Sequence, residues 1–352
     1  MFKTLGRCLL AAGLLVAGAS AVRAEDMRIQ GGGASFPAPL YAKWVAAFNA
    51  ANPGVKVDYQ PSGSGAGIKG ISDRILQLAG SDAPMTADQE KKAPAPLLHI
   101  PTVAGPVVMI YNVPGLEGKL TLDGATISGI FLGQIKNWDD AALKKLNPTF
   151  ALPSKPIIVV HRSDGSGTSF IFTNYLSKVS KEWADKVGNA TNVEWPAGMG
   201  GKGNKGVAEV VQKAQGSIGY VEYAYATNEK LTYATLLNKD GKAVEASIEG
   251  VVAAATAALR TLPADLKVSI TDAPGAESYP ICGFTYLLVY GDLSYLPNKN
   301  LASALVKYID WCVTEGQATA KDLGYAKLPD DVAKKVAEKI RTIKFNGAAL
   351  LK

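Results

Sequence analysis

The chain has 352 residues, with 37 Lys and Arg against 31 Asp and Glu, a formal net charge of +6 at pH 7 and 47% hydrophobic residues. That apolar content, with 19% charged residues, excludes a disordered polymer, and the length suits two domains with cores of their own. Two histidines and three cysteines leave little for a multi-ligand soft-metal site, so neither a metal nor a cofactor is expected.

Residues 1–24 read as a secretory leader. Lys3 and Arg7 stand at the start with no acid beside them, residues 8–18 are apolar, and small residues lead to Val22-Arg23-Ala24 ahead of a cut before Glu25. A cut after Ala21 is the main variant. The apolar run is well short of the ~20 residues a membrane span requires. Leu5-Gly6-Arg7 before Cys8 is unlike a lipoprotein box, so a soluble, secreted product is expected. Losing Lys3, Arg7 and Arg23 leaves 34 basic and 31 acidic residues, a net of +3. That is too little to imply a nucleic-acid partner, and no Lys/Arg block occurs elsewhere.

From there strands and helices alternate. A turn over 31–37, Gly-Gly-Gly-Ala-Ser-Phe-Pro, precedes a helix over 39–51 with Leu40, Tyr41, Trp44, Val45 and Phe48 on one face. A strand over 55–59 leads into a second turn, Pro-Ser-Gly-Ser-Gly-Ala-Gly at 61–67, with a helix from Ile68. Ala-Gly-Ser-Asp-Ala-Pro at 79–84 is a further polar turn, and a Pro-rich joint falls near 93–106. Residues 107–111 and 157–160 are short, β-branched-rich and continuous, the pattern of buried strands. The second of these runs into Arg-Ser-Asp-Gly-Ser-Gly-Thr-Ser at 162–169, which opens onto Phe170-Ile171-Phe172. A short amphipathic helix over 207–214, a joint near 272–280, and helices over 301–313 and 331–343 complete the chain. This alternation argues for α/β layers with partly parallel sheets.

The turns before Pro39, Ile68 and Phe170 share one design. Glycine lets backbone come close, and a small hydroxyl stands where helix N–H groups lack partners. Such an N-terminus, with its free donors and positive dipole end, suits an anion. Each hydroxyl, taken alone, also reads as an ordinary N-cap. Arg162 reads either as an ion pair with Asp164 or as a planar fork for a tetrahedral oxyanion. Asp82 reads as a turn residue, or as an acceptor for a ligand that carries a proton. A carboxylate can only accept, so it would favour hydrogen phosphate and disfavour sulfate.

Other motifs fail. Ser64 and Ser166 lack the G-x-S-x-G elbow, and His161 beside a strand reads as structural. Residues 201–206 match G-x-G-x-x-G but do not follow an apolar strand, so a dinucleotide site is not expected, although the loop can help line an anion cleft. Cys282 and Cys312 form an even pair in an oxidising compartment, which favours a disulfide over two separate buried thiols.

The chain resembles the periplasmic phosphate-binding proteins of ABC phosphate transporters, on residues 33–39, 80–84, 131–139, 162–170, 200–204 and 219–224 in family order. The resemblance implies an α/β, two-lobed periplasmic-binding-protein fold, type II-like, with a hinge and a central ligand cleft. One lobe would comprise 25–103 plus 278–352, and the other 104–277. It implies phosphate held by Ser35, Phe36, Ser64, Asp82, Arg162, Ser166, Gly167 and Thr168, with Asp164 supporting Arg162. Ser64 sits in the loosest match, where Ser62 or Gly65 could serve instead. The implied protein is a monomeric receptor, not an enzyme, that delivers inorganic phosphate to permease subunits driven by a cytoplasmic ATPase. The alternatives are a secreted phosphatase or phosphotransferase with Ser166 or Thr168 as nucleophile, and an adhesin.

Overall fold

The computed structural model describes residues 27–116, 118–258 and 263–351, so the leader over 1–24 lies outside the described residues. The first part runs β1 (Met27–Gly33), α1 (Ala38–Ala51), β2 (Val55–Gln60), α2 (Ser64–Ser72), β3 (Leu78–Ser81), α3 (Ala87–Lys92) and β4 (Leu97–Asn112). Next come β5 (Thr121–Leu122), α4 (Gly124–Phe131), α5 (Ala141–Leu146), β6 (Ile158–Arg162), α6 (Gly167–Val179), α7 (Lys181–Lys186), β7 (Met199–Gly201), α8 (Gly203–Lys213) and β8 (Ser217–Glu222). They are followed by α9 (Tyr223–Asn228), β9 (Thr235–Leu237), β10 (Ala243–Val244) and α10 (Ile248–Ala258). β11 (Cys282–Tyr290), α11 (Lys299–Val313), α12 (Asp330–Arg341), β12 (Lys344–Phe345) and β13 (Ala348–Ala349) close the order. No helix among the described residues is long and apolar enough to cross a membrane.

Eight strands form one mixed sheet in the order β2-β1-β3-β11-β4-β8-β6-β7. At one end β1 pairs in parallel with β2 and β3; at the other, β6 pairs in parallel with β7 and β8. Parallel neighbours need crossover connections, which the intervening helices supply. The two parallel units are joined by β11 and by the 16-residue β4, which pairs with β11 over 97–106 and with β8 over 107–112. The fold is therefore the two-lobed α/β architecture expected. The carboxyl ends of β1, β3, β6 and β7 bring their loops together between the units, the usual place for a ligand in open α/β sheets.

The helix expected over 39–51 forms as α1 because its apolar residues recur at helical spacing. Leu40, Tyr41, Trp44 and Phe48 are buried and Val45 half-buried. Each fully buried large side chain contributes about 1.5–3 kcal/mol. The Trp44 indole also donates to the Gly316 carbonyl at 2.7 Å, tying α1 to the segment after α11.

Two expectations are corrected. The joint near 93–106 is for the most part strand. Tyr286 pairs with Pro101 and Thr285 with Val103, so Thr102 is an extra residue in the ladder. A bulge of this kind tolerates the missing N–H of Pro101, and Pro106 pairs with Cys282 at the first residue of β11. Cys282 and Cys312 are both free thiols, not a disulfide. Cys282 opens β11 with Sγ 3.2 Å from the Tyr279 carbonyl, whereas Cys312 lies buried in the last turn of α11. An even count of cysteines carries no information about distance. Each thiol is instead a small apolar filler in its own packing.

A segment before β11 links both halves. Lys267 forms an ion pair with Glu90, Val268 N–H donates to the Tyr286 hydroxyl, and Lys339 donates to the Asp265 carbonyl. A few residues on, Ser269 and Thr271 bond to Asn174 on α6.

Candidate functional site

The structure brings all the expected site residues to one place. Ser35 and Phe36 lie between β1 and α1, Ser64 opens α2, and Asp82 follows β3. Arg162 ends β6, and Ser166, Gly167 and Thr168 start α6 from the other side. Ser35, Asp82 and Arg162 are at most 5% exposed, and Phe36, Ser64, Ser166 and Thr168 are fully buried.

The N-cap reading holds for only one of the three turns. Ser166 caps α6, its Oγ accepting the Ser169 N–H at 3.0 Å. α1 and α2 start at Pro37 and Gly63 with no side-chain cap, so Ser35 and Ser64 are free for other bonds. Ser64 faces Asp82, its Oγ accepting the Asp82 N–H at 3.2 Å, while Ser62 is exposed and the Gly65 N–H donates to the Gly165 carbonyl at 2.8 Å. Of the three candidates in that turn, Ser64 is the one whose side chain is buried against Asp82.

Arg162 is both ion pair and fork. Its Nε and Nη2 donate to the two Asp164 oxygens at 2.8 and 2.6 Å, and its Nη1 donates to Thr168 Oγ1 at 3.3 Å. Two of its five N–H groups have no acceptor among the described residues. Burial pushes the Asp164 carboxyl upward, but the Arg162 hydrogen bonds and charge, with the Gly203 N–H, hold it below the ordinary carboxylate range.

Asn204 was missed as an individual residue, although it stands in the loop singled out at 201–206. Fully buried at the start of α8, it donates through Nδ2 to both Ser35 Oγ and Thr168 Oγ1 at 3.0 Å. Thr168 Oγ1 thus accepts from Asn204 and Arg162 together. With both lone pairs engaged, its O–H is compelled to donate outward. Ser35 and Ser166 likewise accept from N–H donors. The Gly167 and Thr168 N–H groups, ahead of the first intrahelical bond, add two more donors and the positive end of the α6 dipole. The lining is a concentration of donors.

Asp82 is the exception. Its Oδ1 accepts the Thr285 hydroxyl at 2.7 Å, a second residue that sequence reasoning missed, and its Oδ2 has only a long 3.5 Å approach to Ser64. Burial pushes this carboxyl up to about 7, against the Thr285 bond, the Arg162 charge and the Ser64 hydroxyl. Between about 4 and about 7 the folded protein therefore keeps a proton that the unfolded chain has lost. Stability falls as pH rises through that window and levels above it, by on the order of 4 kcal/mol. Thermal unfolding of the native protein and Asp82→Asn, in a buffer without tetrahedral anions, should show the native curve losing ground between pH 5 and pH 8. Parallel curves would contradict it.

His161 stacks on Trp195 with ring centroids 4.8 Å apart and its Nδ1 sits 3.0 Å from the Arg162 carbonyl, the structural role expected. β7 does precede the 201–206 loop, but it is a three-residue strand whose loop packs its Asn204 against the anion donors.

The PBP superfamily domain matches residues 17–315. The phosphate-binding protein PstS of Pasteurella multocida is 42% identical over 323 residues, covering 92% of each chain. The chain belongs to the PstS family of phosphate-binding proteins. Among solved structures, a high-affinity periplasmic phosphate-binding protein with bound phosphate has a TM-score of 0.72 at 21% identity, covering 89% of this chain and 93% of its own. A phosphate ABC transporter substrate-binding protein of Clostridium perfringens, described as putative and also with phosphate bound, has a TM-score of 0.63 at 19% identity and covers 86% and 100%. These two share the fold. Within a PstS frame, Asn204 and Thr285 stand behind the expected residues: Asn204 orients two hydroxyl donors and Thr285 turns Asp82.

Proposed function

We propose that the chain binds inorganic phosphate between its two halves, without turnover, and delivers it to the permease of an ABC transporter outside the cytoplasmic membrane. One observation carries the ligand: a buried acceptor, Asp82, stands among groups that can only donate or have been turned to donate. An oxyanion that keeps one proton satisfies both kinds of partner, and phosphate does so near neutral pH. Sulfate has no proton for Asp82, so two acceptors would face each other in a dry site. The naming of the PstS relatives supports the ligand, and the ABC transporter assignment of the Clostridium perfringens protein supports the delivery. The leader pattern at 1–24 supports the compartment.

In this reading Ser35, Phe36, Ser64 and Asp82 hold the ligand from one lobe, and Arg162, Ser166, Gly167 and Thr168 from the other, with Asp164 steadying Arg162. The lobes are 25–103 plus 278–352, and 104–277, turning about β4 and the start of β11. Closure is driven by ligand contacts that exist only when both sets of loops meet.

Calorimetric titration tests the reading. Phosphate should bind at micromolar concentration or tighter, with sulfate at least ~10³-fold weaker, the range expected when a site built on hydrogen bonds meets the wrong partner. In Asp82→Asn the amide can donate as well as accept, so the phosphate-to-sulfate ratio should collapse. Equal affinity of the native protein for both anions would refute the role of Asp82. Hydrolysis of a chromogenic phosphate ester by the native protein would favour the phosphatase alternative.

A further inference from the structure

Glu222 ends β8 and is fully buried, yet it has no ion-pair partner among the described residues and is not an expected site residue. Its Oε2 accepts the Ala224 N–H at 2.9 Å and lies 2.9 Å from the Tyr325 hydroxyl, while Oε1 has no hydrogen-bond partner among the described residues. The Tyr325 hydroxyl is also 2.8 Å from the carbonyl oxygen of Phe36. Two short oxygen–oxygen contacts thus meet at one hydroxyl, and each needs a hydrogen between its atoms. Tyr325 brings one hydrogen, and a carbonyl can only accept, so that hydrogen belongs to Phe36. The other must come from Glu222.

We infer that Glu222 is a neutral carboxylic acid that donates its proton to Tyr325, whose hydroxyl in turn holds the Phe36 carbonyl, making Glu222 a positioning residue for the anion loop. The inference rests on the phosphate-binding reading for its functional consequence, but the proton count does not depend on it. Glu222 belongs to the unit that carries Arg162, and Tyr325 and Phe36 pack with the opposite unit. The relay therefore crosses between the halves and fixes the peptide next to Ser35. The Glu222 N–H donates to Asn204 Oδ1 at 2.9 Å, which sets the amide that turns Ser35 and Thr168. One residue steadies loops on both sides of the ligand.

The surroundings favour the neutral form. Burial pushes the Glu222 carboxyl well above the ordinary range, only partly countered by the Ala224 N–H and Tyr325. The titratable groups that bear on it are Asp82 beyond β3, Tyr325 before α12, and Tyr223 and Tyr225 on α9. None of these is a cation. An ionised Glu222 would add a second buried negative charge to a site built for an anion, whereas the acid adds none.

Infrared spectroscopy of the full chain at pH 8.5 in phosphate-free buffer tests the protonation. At that pH Asp82, at about 7, is ionised, so the protonated-carboxyl carbonyl band that remains is the one predicted for Glu222. It should vanish in Glu222→Gln, persist in Asp82→Asn, and move to higher frequency in Tyr325→Phe, where the acid loses its acceptor. Absence of the band, or its survival in Glu222→Gln, overturns the inference. Phosphate titration of Tyr325→Phe tests the positioning: roughly tenfold weaker binding is expected for the loss of the relay. Unchanged affinity in that variant overturns the positioning role. If the native protein binds no phosphate while the band behaves as predicted, the functional reading fails and the protonated acid stands.

Discussion

Arg162→Ala should weaken phosphate binding by two to three orders of magnitude or more. Arg162 is 2% exposed and its guanidinium is held by three hydrogen bonds. Removing one partner of a buried charge pair costs about 3–5 kcal/mol, because the survivor is left uncompensated. Here the survivor is Asp164, whose Oδ1 also anchors the Gly203 N–H at 3.0 Å. The substitution thus removes a cation from the ligand and leaves an anion next to it. Arg162→Lys should recover little, since an ammonium cannot span both Asp164 oxygens as a planar fork does. Calorimetry on folded variants measures this directly, with circular dichroism confirming the fold. A loss of less than tenfold in Arg162→Ala would show that the helix N-terminus and hydroxyls carry the affinity without the fork.

Gly167→Ala should weaken binding by about a hundredfold or more, for a different reason. A Cβ at Gly167 would fall on Asp82 Oδ2 and Ser64 Oγ and lie 2.6 Å from Asp82 Cβ. All of these belong to the opposite set of loops, so the added methyl acts as a wedge between the halves. Displacing one set of ligand contacts by about an ångström is enough for such a loss. Since the clash exists only when the halves meet, the unbound thermal stability should change much less than the affinity. Small-angle scattering should then show phosphate compacting the native protein but not the variant. An alanine variant that binds within threefold of the native protein would mean that the loops have room to spare.

Much of this site was legible in the chain because its donors are local. A Gly–hydroxyl turn ahead of an apolar run announces both the helix start and its exposed N–H groups. Arg162 and Asp164, two residues apart, form the bidentate pair that their spacing allowed. What escaped depends on long-range contact. Thr285 reaches Asp82 from 203 residues away and Tyr325 reaches Glu222 from 103. No local pattern marks such partners, and in the structure Glu222 also caps α9, its side chain accepting the Ala224 N–H. The prolines near residue 101 misled for a related reason: a strand forbids proline only where its N–H is needed, and a bulge removes that need. The cysteine pairing failed because counting thiols says nothing about where β11 and α11 place them.

The unbroken strand β4 has a mechanical consequence. Because its hydrogen bonds run to β11 on one stretch and to β8 on the next, the halves are joined by a paired ribbon and not by slack chain. Opening must then twist that ribbon near residues 104–107, against a ladder that already has a preferred right-handed twist. The Ala104–Ala326 bridge, with bonds of 3.1 and 2.8 Å, stiffens the same point. Such a joint behaves as a torsion spring that limits how wide the jaws swing.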